Sequence, residues 1–195
     1  MAVTIGQASI DERGQITGGQ AGNQSGRELN TRPWYANGWT LVLRPKSRTV
    51  ALKMVAACTA GVKNKHIGYD QSQRNTLRAF AKIARWNLGQ IAADCETDCS
   101  AFMAVCAEAA GVNMEPAYTA GNAPATFQMR QQWGKTGAFE PLTDWKYLNS
   151  PDYLVAGDVL VNESRHTCMA LTDGRFAEEE REVVEKSKII VDGKE

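Results

Sequence analysis

The chain has 195 residues, enough for one hydrophobic core and a short appendage. Its 22 basic and 22 acidic residues balance, and no basic stripe with interleaved aromatics occurs, so charge does not favour a nucleic acid as partner. No apolar run reaches about 18 residues, and residues 1–22 lack a basic stretch followed by an apolar one, so we expect neither membrane insertion nor a signal peptide.

The first two thirds of the chain predict two strands and several helices. Residues 3–10 are typical of a short strand, and the glycine-rich stretch 11–26 predicts turns or an ordered loop. A second strand ends at Pro45. Helices are expected over 47–62 with Ser47 as cap, from Asp70 or Ser72 to about Trp86, from about Cys99 to Ala110, and after Pro124.

The last third predicts two strands and a charged helix. The strands cover 159–161 and 166–171, and the charged pattern of 177–188 indicates a solvated connector. The final stretch, 189–195, predicts a strand and a turn. We therefore expect one domain over 1–176, followed over 177–195 by a helical connector and the start of a truncated C-terminal domain, with a plain tail as the alternative for the final stretch.

Five cysteines are present, and the odd number leaves at least one thiol free in a monomer. Cys95 and Cys99 form a CxxxC pair, but no second pair has zinc-like spacing. We therefore expect no metal site, and the composition is typical of a protein made in a reducing cytoplasm.

Cys99 lies where a polar stretch turns into an apolar helix. A thiol at a helix N-terminus is acidified by the helix dipole and by free backbone N–H groups. The preceding Asp98 is the expected cap of that helix, and the backbone N–H of Cys99 is a candidate oxyanion donor. The alternative is that Cys99, like most helix cysteines, is a small buried hydrophobe.

His166 is one of two histidines and opens an apparent strand after a polar stretch. It could abstract the Cys99 proton and later protonate a leaving amine, although a structural role is the alternative. A third polar group would fix the imidazole tautomer, and spacing alone leaves Asp158, Asp173, Glu178 and more distant residues open.

The segments Asp98-Cys99-Ser100, Gly157–Val161 and His166 together resemble the NlpC-type papain-like cysteine peptidases, especially the catalytic domains of phage endolysins. The match extends over residues 94–174. The resemblance implies an α+β, papain-like fold in which a small antiparallel sheet packs on helices and the nucleophile lies at a helix N-terminus.

In that family the strand after the histidine strand carries the third polar residue and leads into a glycine-rich run. Here the similar segments are Ile5–Ile10 and Gly18–Glu28, at the other end of the chain. The chain therefore looks like a circular permutation, with the N-terminal strand beside the histidine strand and Gln7 as the third residue. An exposed strand glutamine is the alternative for Gln7.

Several residues are candidates for binding a glycopeptide. Each aromatic among them has core packing as its alternative. The candidates are the motif residues Asp98 and Ser100 and the aromatics Trp34, Tyr35, Trp39, Tyr118 and Trp145.

The resemblance implies a peptidoglycan hydrolase that cleaves a peptide or amide bond by Cys–His catalysis without a cofactor. It could be an endopeptidase or an N-acetylmuramoyl-L-alanine amidase. We expect accumulation in the host cytoplasm and action on the cell wall after release, with a wall-binding domain beyond this chain.

Two other functional classes stay open. One is a wall-binding module that kept the fold and lost activity, against which Cys99 and His166 argue. The other is an acyltransferase or amidase that uses the same pair on another substrate.

Overall fold

The computed structural model describes residues 2–181. It has eight strands, five helices and short 3₁₀ turns at Leu88–Gln90 and Glu115–Ala117 in that range. The strands are β1 (Thr4–Ala8), β2 (Leu29–Pro33), β3 (Leu41–Pro45), β4 (Ile67–Tyr69), β5 (Cys95–Thr97), β6 (Phe139–Leu142), β7 (Val159–Asn162) and β8 (His166–Ala170). The helices are α1 (Arg48–Lys63), α2 (Thr76–Ile83), α3 (Cys99–Ala109), α4 (Thr126–Gly134) and α5 (Trp145–Asn149).

Six strands form an antiparallel sheet in the order β2-β1-β8-β7-β3-β6, and β4 and β5 form a separate parallel pair. Helices α1 and α3 pack on the large sheet and on each other. The expected α+β fold class, with an antiparallel sheet against helices, is confirmed.

The N-terminal strand lies beside the histidine strand. In the β1–β8 ladder Ile5 is opposite Ala170 and Gly6 is opposite Met169, and the backbone N–H of Leu171 donates to the Thr4 carbonyl. Two segments at opposite ends of the described chain thus form the middle of one sheet. This is the pairing that the sequence predicted for β1.

Helix α3 is buried around its whole circumference up to Glu108. Such a helix needs close neighbours on every side, and α1 comes close at Gly61. A Cβ at Gly61 would lie 2.7 Å from the Phe102 ring. The glycine therefore lets α1 approach the helix that begins at Cys99.

Helix α2 departs from its predicted limits. Asn75, not Asp70 or Ser72, is its N-cap residue, because the Asp70 carboxylate is used elsewhere. That carboxylate accepts hydrogen bonds from the backbone N–H groups of Gly18, at 2.8 Å, and Ser72, at 2.6 Å. The helix ends at Ile83, ahead of the predicted Trp86, since Arg85 and Trp86 have φ values of 51° and 64°.

The segment after the last strand is less solvated than its composition suggested. Residues 177–181 are helical, but Glu180 is buried. Its carboxylate accepts from Arg44 Nη1 at 3.2 Å and from the Tyr147 hydroxyl at 2.6 Å. The predicted solvated face is therefore wrong at Glu180, and the rest of the predicted connector, with the strand at 189–195, lies outside the described residues.

Buried carboxylates hold the glycine-rich stretch against β4 and β5. Glu28 accepts from the backbone N–H groups of Gln24, at 2.7 Å, and Tyr69, at 3.2 Å. Glu96 in β5 is buried among these groups, and neither of its side-chain oxygens has a hydrogen-bond partner in the described residues. Burial, and then the charges of Glu28 and Asp70, raise the pKa of Glu96 to about 8.

The raised pKa of Glu96 predicts a loss of stability with rising pH. The folded protein keeps this proton to about pH 8, whereas an unfolded chain releases it near the ordinary value of 4.5. Between those values the folded state binds more protons, so the free energy of unfolding falls as pH rises. We expect Glu96→Gln to flatten this fall by on the order of 1–3 kcal/mol between pH 5 and pH 8, measured by urea unfolding. The exposed Glu115→Gln is the control, and an unchanged pH slope in Glu96→Gln would contradict the assignment.

Candidate active site

Cys99 is the first residue of α3, directly after the short strand β5. Asp98 is the N-cap of the helix, and its Oδ1 accepts from the backbone N–H of Ala101 at 2.8 Å. This interaction satisfies one of the free N–H groups at the helix start. It confirms the predicted role of Asp98 as a cap and fixes the point where strand becomes helix.

Arg74 holds the same helix start from outside and was not found by sequence reasoning. Its Nε lies 2.7 Å from Asp98 Oδ2, and its Nη2 donates to Ser100 Oγ at 2.6 Å. The guanidinium also donates to the carbonyls of Ala123 and Pro124. Asp98 and Ser100 are therefore engaged in holding the turn, and no spacing in the sequence marks Arg74 as their partner.

His166, the first residue of β8, is bonded to Gln7. The His166 Nε2 and the Gln7 Oε1 are 2.9 Å apart. Gln7 Nε2 donates to Asn30 Oδ1 at 3.1 Å, and the Asn30 amide nitrogen donates in turn to the Arg27 carbonyl at 2.6 Å. This chain of donors fixes which way the Gln7 amide faces, with its oxygen toward the imidazole.

An amide oxygen only accepts, so Nε2 of His166 carries the proton in the neutral ring. The other nitrogen, Nδ1, is then left with its lone pair. The Tyr35 hydroxyl also donates to Gln7 Oε1, at 3.3 Å, and supports the same orientation. The neighbourhood therefore selects one tautomer of His166.

Cys99 lies beside the strand that His166 opens. The backbone of Thr167, the residue after His166, is close enough to the Cys99 thiol to favour its thiolate form. Strand β8 and helix α3 are packed together.

Both groups are electrically neutral at neutral pH. Cys99 is only 5% exposed, and burial, then the Asp98 charge, raise the pKa of its thiol to about 12. Burial, followed by the charge of Arg32, lowers the pKa of His166 to about 4. The cost of burying a charged thiolate therefore outweighs the acidifying effect expected of the helix N-terminus. A bound ligand would meet a protonated thiol and a neutral imidazole.

Two clefts open on these residues and share Arg165. The smaller, of about 280 Å³, is lined by Arg74, Cys99, Thr126 and their neighbours. The larger, of about 750 Å³, is lined by Gln7, His166 and Tyr35 among others.

Some of the predicted aromatic residues lie at or near the larger cleft, and others lie elsewhere. Tyr35 lines the larger cleft, and the buried Trp39 packs near His166 with 6.2 Å between ring centroids. Trp34 packs against the apolar cluster on the same side of the sheet. Trp145 is 74% exposed and lines neither cleft.

Tyr118 does not belong to this group. Its hydroxyl donates to Glu108 Oε2 at 3.0 Å, and the Arg78 guanidinium lies 3.8 Å from its ring centroid. An ion-pair cluster between α2 and α3 therefore holds Tyr118, and the structure does not place it at either cleft. A cleft-lining role for this residue stays a prediction that these contacts do not support.

The fold and these clefts define an α+β protein in which a central strand that begins at a histidine packs on a helix that begins at a cysteine. Residues 5–177 match the family model of the endolysin-like domain, so the chain belongs to the endolysin-like domain family. Membership indicates a phage-type cell-wall lytic function with peptidoglycan as substrate. No curated protein and no solved structure matched the chain.

No helix within residues 2–181 is long and apolar enough to cross a membrane. No group of three histidine, cysteine, aspartate or glutamate side chains in that range could hold a metal ion. All five cysteines are free and buried.

The Gln7–His166 hydrogen bond predicts how the imidazole titrates. We expect NMR titration to give a pKa of about 4 for His166. Gln7→Glu places a negative charge at the same atom, favours the imidazolium, and should raise that pKa by about 1 to 3. His66, which pairs with Asp94, is the internal control in both proteins. A His166 titration that is indifferent to Gln7→Glu would show that the bond does not form in solution.

Proposed function

We propose that this endolysin-like domain is a cysteine hydrolase that cleaves a peptide or amide bond of peptidoglycan, with Cys99 as nucleophile, His166 as base and Gln7 as positioning residue. The observation that carries the proposal is the Gln7–His166 hydrogen bond. It leaves Nδ1 as the basic nitrogen of His166, and the backbone of the next residue, Thr167, lies close to the Cys99 thiol. The family match supports the substrate.

The first half of the reaction forms a thioester. As the Cys99 sulfur attacks the carbonyl carbon, His166 Nδ1 takes the thiol proton, and the carbonyl oxygen becomes an oxyanion. The backbone N–H of Cys99 has no partner within the helix and is placed to donate to that oxygen. The imidazolium then gives its proton to the leaving nitrogen as the C–N bond breaks.

The second half hydrolyses the thioester. Water attacks the acyl carbon while His166 takes one of its protons, and the C–S bond breaks. The proton returns to the sulfur, which restores the thiol and releases a carboxylic acid. No step needs a metal or an organic cofactor.

We further propose that residues 1–176 form a papain-like catalytic domain whose strand order is permuted relative to the NlpC-type enzymes. The pairing of β1 with β8 supports this, because it brings Gln7 to His166 from the N-terminal side of the chain. In the usual order the third residue follows the histidine strand. The position of a strand in a sheet depends on space and register, so the same site can be built from either order.

Replacing the nucleophile should abolish lysis. We expect Cys99→Ala to reduce clearing of purified cell walls by about 1,000-fold or more, because no covalent intermediate can form. Circular dichroism and urea unfolding report whether the variant is folded. Mass spectrometry of the wild-type digest then identifies the bond, since an endopeptidase and an amidase release different new amino groups.

Cys95→Ala is the matched control, because Cys95 is a buried cysteine four residues earlier whose thiol donates to the His66 carbonyl. It should retain wild-type clearing. Folded Cys99→Ala protein that still lyses walls would refute the proposal. A wild-type protein that binds walls and releases no product would instead favour a binding module.

A further inference from the structure

We propose that the larger cleft binds a free carboxylate of the peptidoglycan stem peptide through Arg32 and Arg165, beside the reacting bond. The inference rests on the proposed hydrolase function and adds to it the charge of the substrate that the site selects.

The larger cleft carries charge of one sign only. Besides Gln7, Tyr35 and His166, its lining includes three arginines, Arg27, Arg32 and Arg165. No acidic residue lines it among the residues that the structure describes. A concave surface of this kind concentrates positive potential and attracts anions.

None of these three arginines forms an ion pair with a carboxylate in residues 2–181. Arg27 donates to the Glu12 carbonyl at 3.3 Å, and the Arg32 guanidinium lies 4.3 Å from the Tyr35 ring centroid. The Arg165 backbone N–H bonds to the Asn162 carbonyl, and its side chain is exposed at the rim shared by the two clefts. Most other arginines of the described chain do pair with carboxylates, namely Arg13, Arg44, Arg48, Arg74, Arg78, Arg130 and Arg181.

The two proposed ligands flank the His166–Gln7 pair. Arg32 lies two residues after Asn30 on β2, so it shares the face on which Asn30 contacts Gln7. Arg165 directly precedes His166. A guanidinium can donate two parallel hydrogen bonds to one carboxylate, which makes arginine a specific ligand for that group.

Peptidoglycan stem peptides carry free carboxylates close to their peptide and amide bonds. A carboxylate held between Arg32 and Arg165 would place such a bond near His166 and the cysteine cleft. A cleft that bound only carbohydrate hydroxyls would not require three arginines without carboxylate partners. The charge of the cleft therefore favours the peptide part of the polymer over the glycan.

Binding would also assist the chemistry. The charge of Arg32 disfavours a proton on His166. A carboxylate bound at Arg32 opposes that charge, so it favours the imidazolium that forms when the thiol proton is taken. Substrates with the carboxylate would then react faster as well as bind more tightly.

The test compares two wall preparations. One is peptidoglycan stripped of phosphate-bearing polymers with hydrofluoric acid, and the other is the same material with its carboxylates converted to amides by carbodiimide and ammonia. We expect amidation to lower the wild-type kcat/KM about 10- to 100-fold, as the loss of a charged hydrogen bond would. The double variant Arg32→Gln/Arg165→Gln should lose a similar factor in kcat/KM on the stripped peptidoglycan that was not amidated. It should show no further loss on the amidated material. Arg85→Gln, at an exposed arginine outside both clefts, is the control and should behave as wild type.

Three outcomes would overturn the inference. The double variant could keep the wild-type rate on the stripped peptidoglycan that was not amidated. It could also discriminate between the two preparations as the wild type does. On a third preparation, unstripped walls that keep their phosphate polymers, a loss of activity by the double variant that is confined to this material would make the arginines a phosphate site. Cosedimentation of the Cys99→Ala protein with both preparations measures binding without turnover. It distinguishes failure of the carboxylate site from failure of the hydrolase proposal.

Discussion

The antiparallel pairing of β1 with β8 is the constraint on which the rest of the site depends. It places Gln7 against His166, and through Asn30 on the adjacent β2 it also fixes which way the Gln7 amide faces. The tautomer of the imidazole follows from that orientation. The same strand pair forms one wall of the cleft in which the unpaired arginines lie. A change that shifted β1 by one residue would turn Gln7 to the other face of the sheet and lose all of these features together.

Burial and electrostatics then set the chemical state of the pair. Cys99 at a helix start has the dipole and free N–H groups that favour a thiolate, yet its surroundings are dry enough to keep it protonated. His166 is kept neutral by burial and by Arg32. The proposed site thus differs from a preformed thiolate–imidazolium pair, because the proton moves only when a substrate arrives. A neutral thiol also reacts slowly with oxidants and electrophiles.

Local sequence signals predicted the local structure well. The Asp98 cap, the Ser47 cap and the strand at His166 were all found where capping and alternation rules placed them. The position of β1 beside β8 came from the resemblance to a known family, and no rule of spacing would have supplied it. Arg74 was missed, and the position of Tyr118 was not foreseen, because their partners lie 24 and 10 residues away respectively, and sequence periodicity carries no information about such contacts.

The separation between Gln7 and His166 along the chain has a consequence for synthesis. The two residues are 159 positions apart, so the hydrogen bond that selects the imidazole tautomer requires a contact of very high sequence separation. On a ribosome, β1 and β2 are made first and the sheet stays open at its centre until β8 has emerged. Folding of such a sheet is slow compared with that of local helical structure. Incomplete chains that stop before β8 therefore contain the cysteine but no assembled site, and lytic activity depends on translation having passed residue 170.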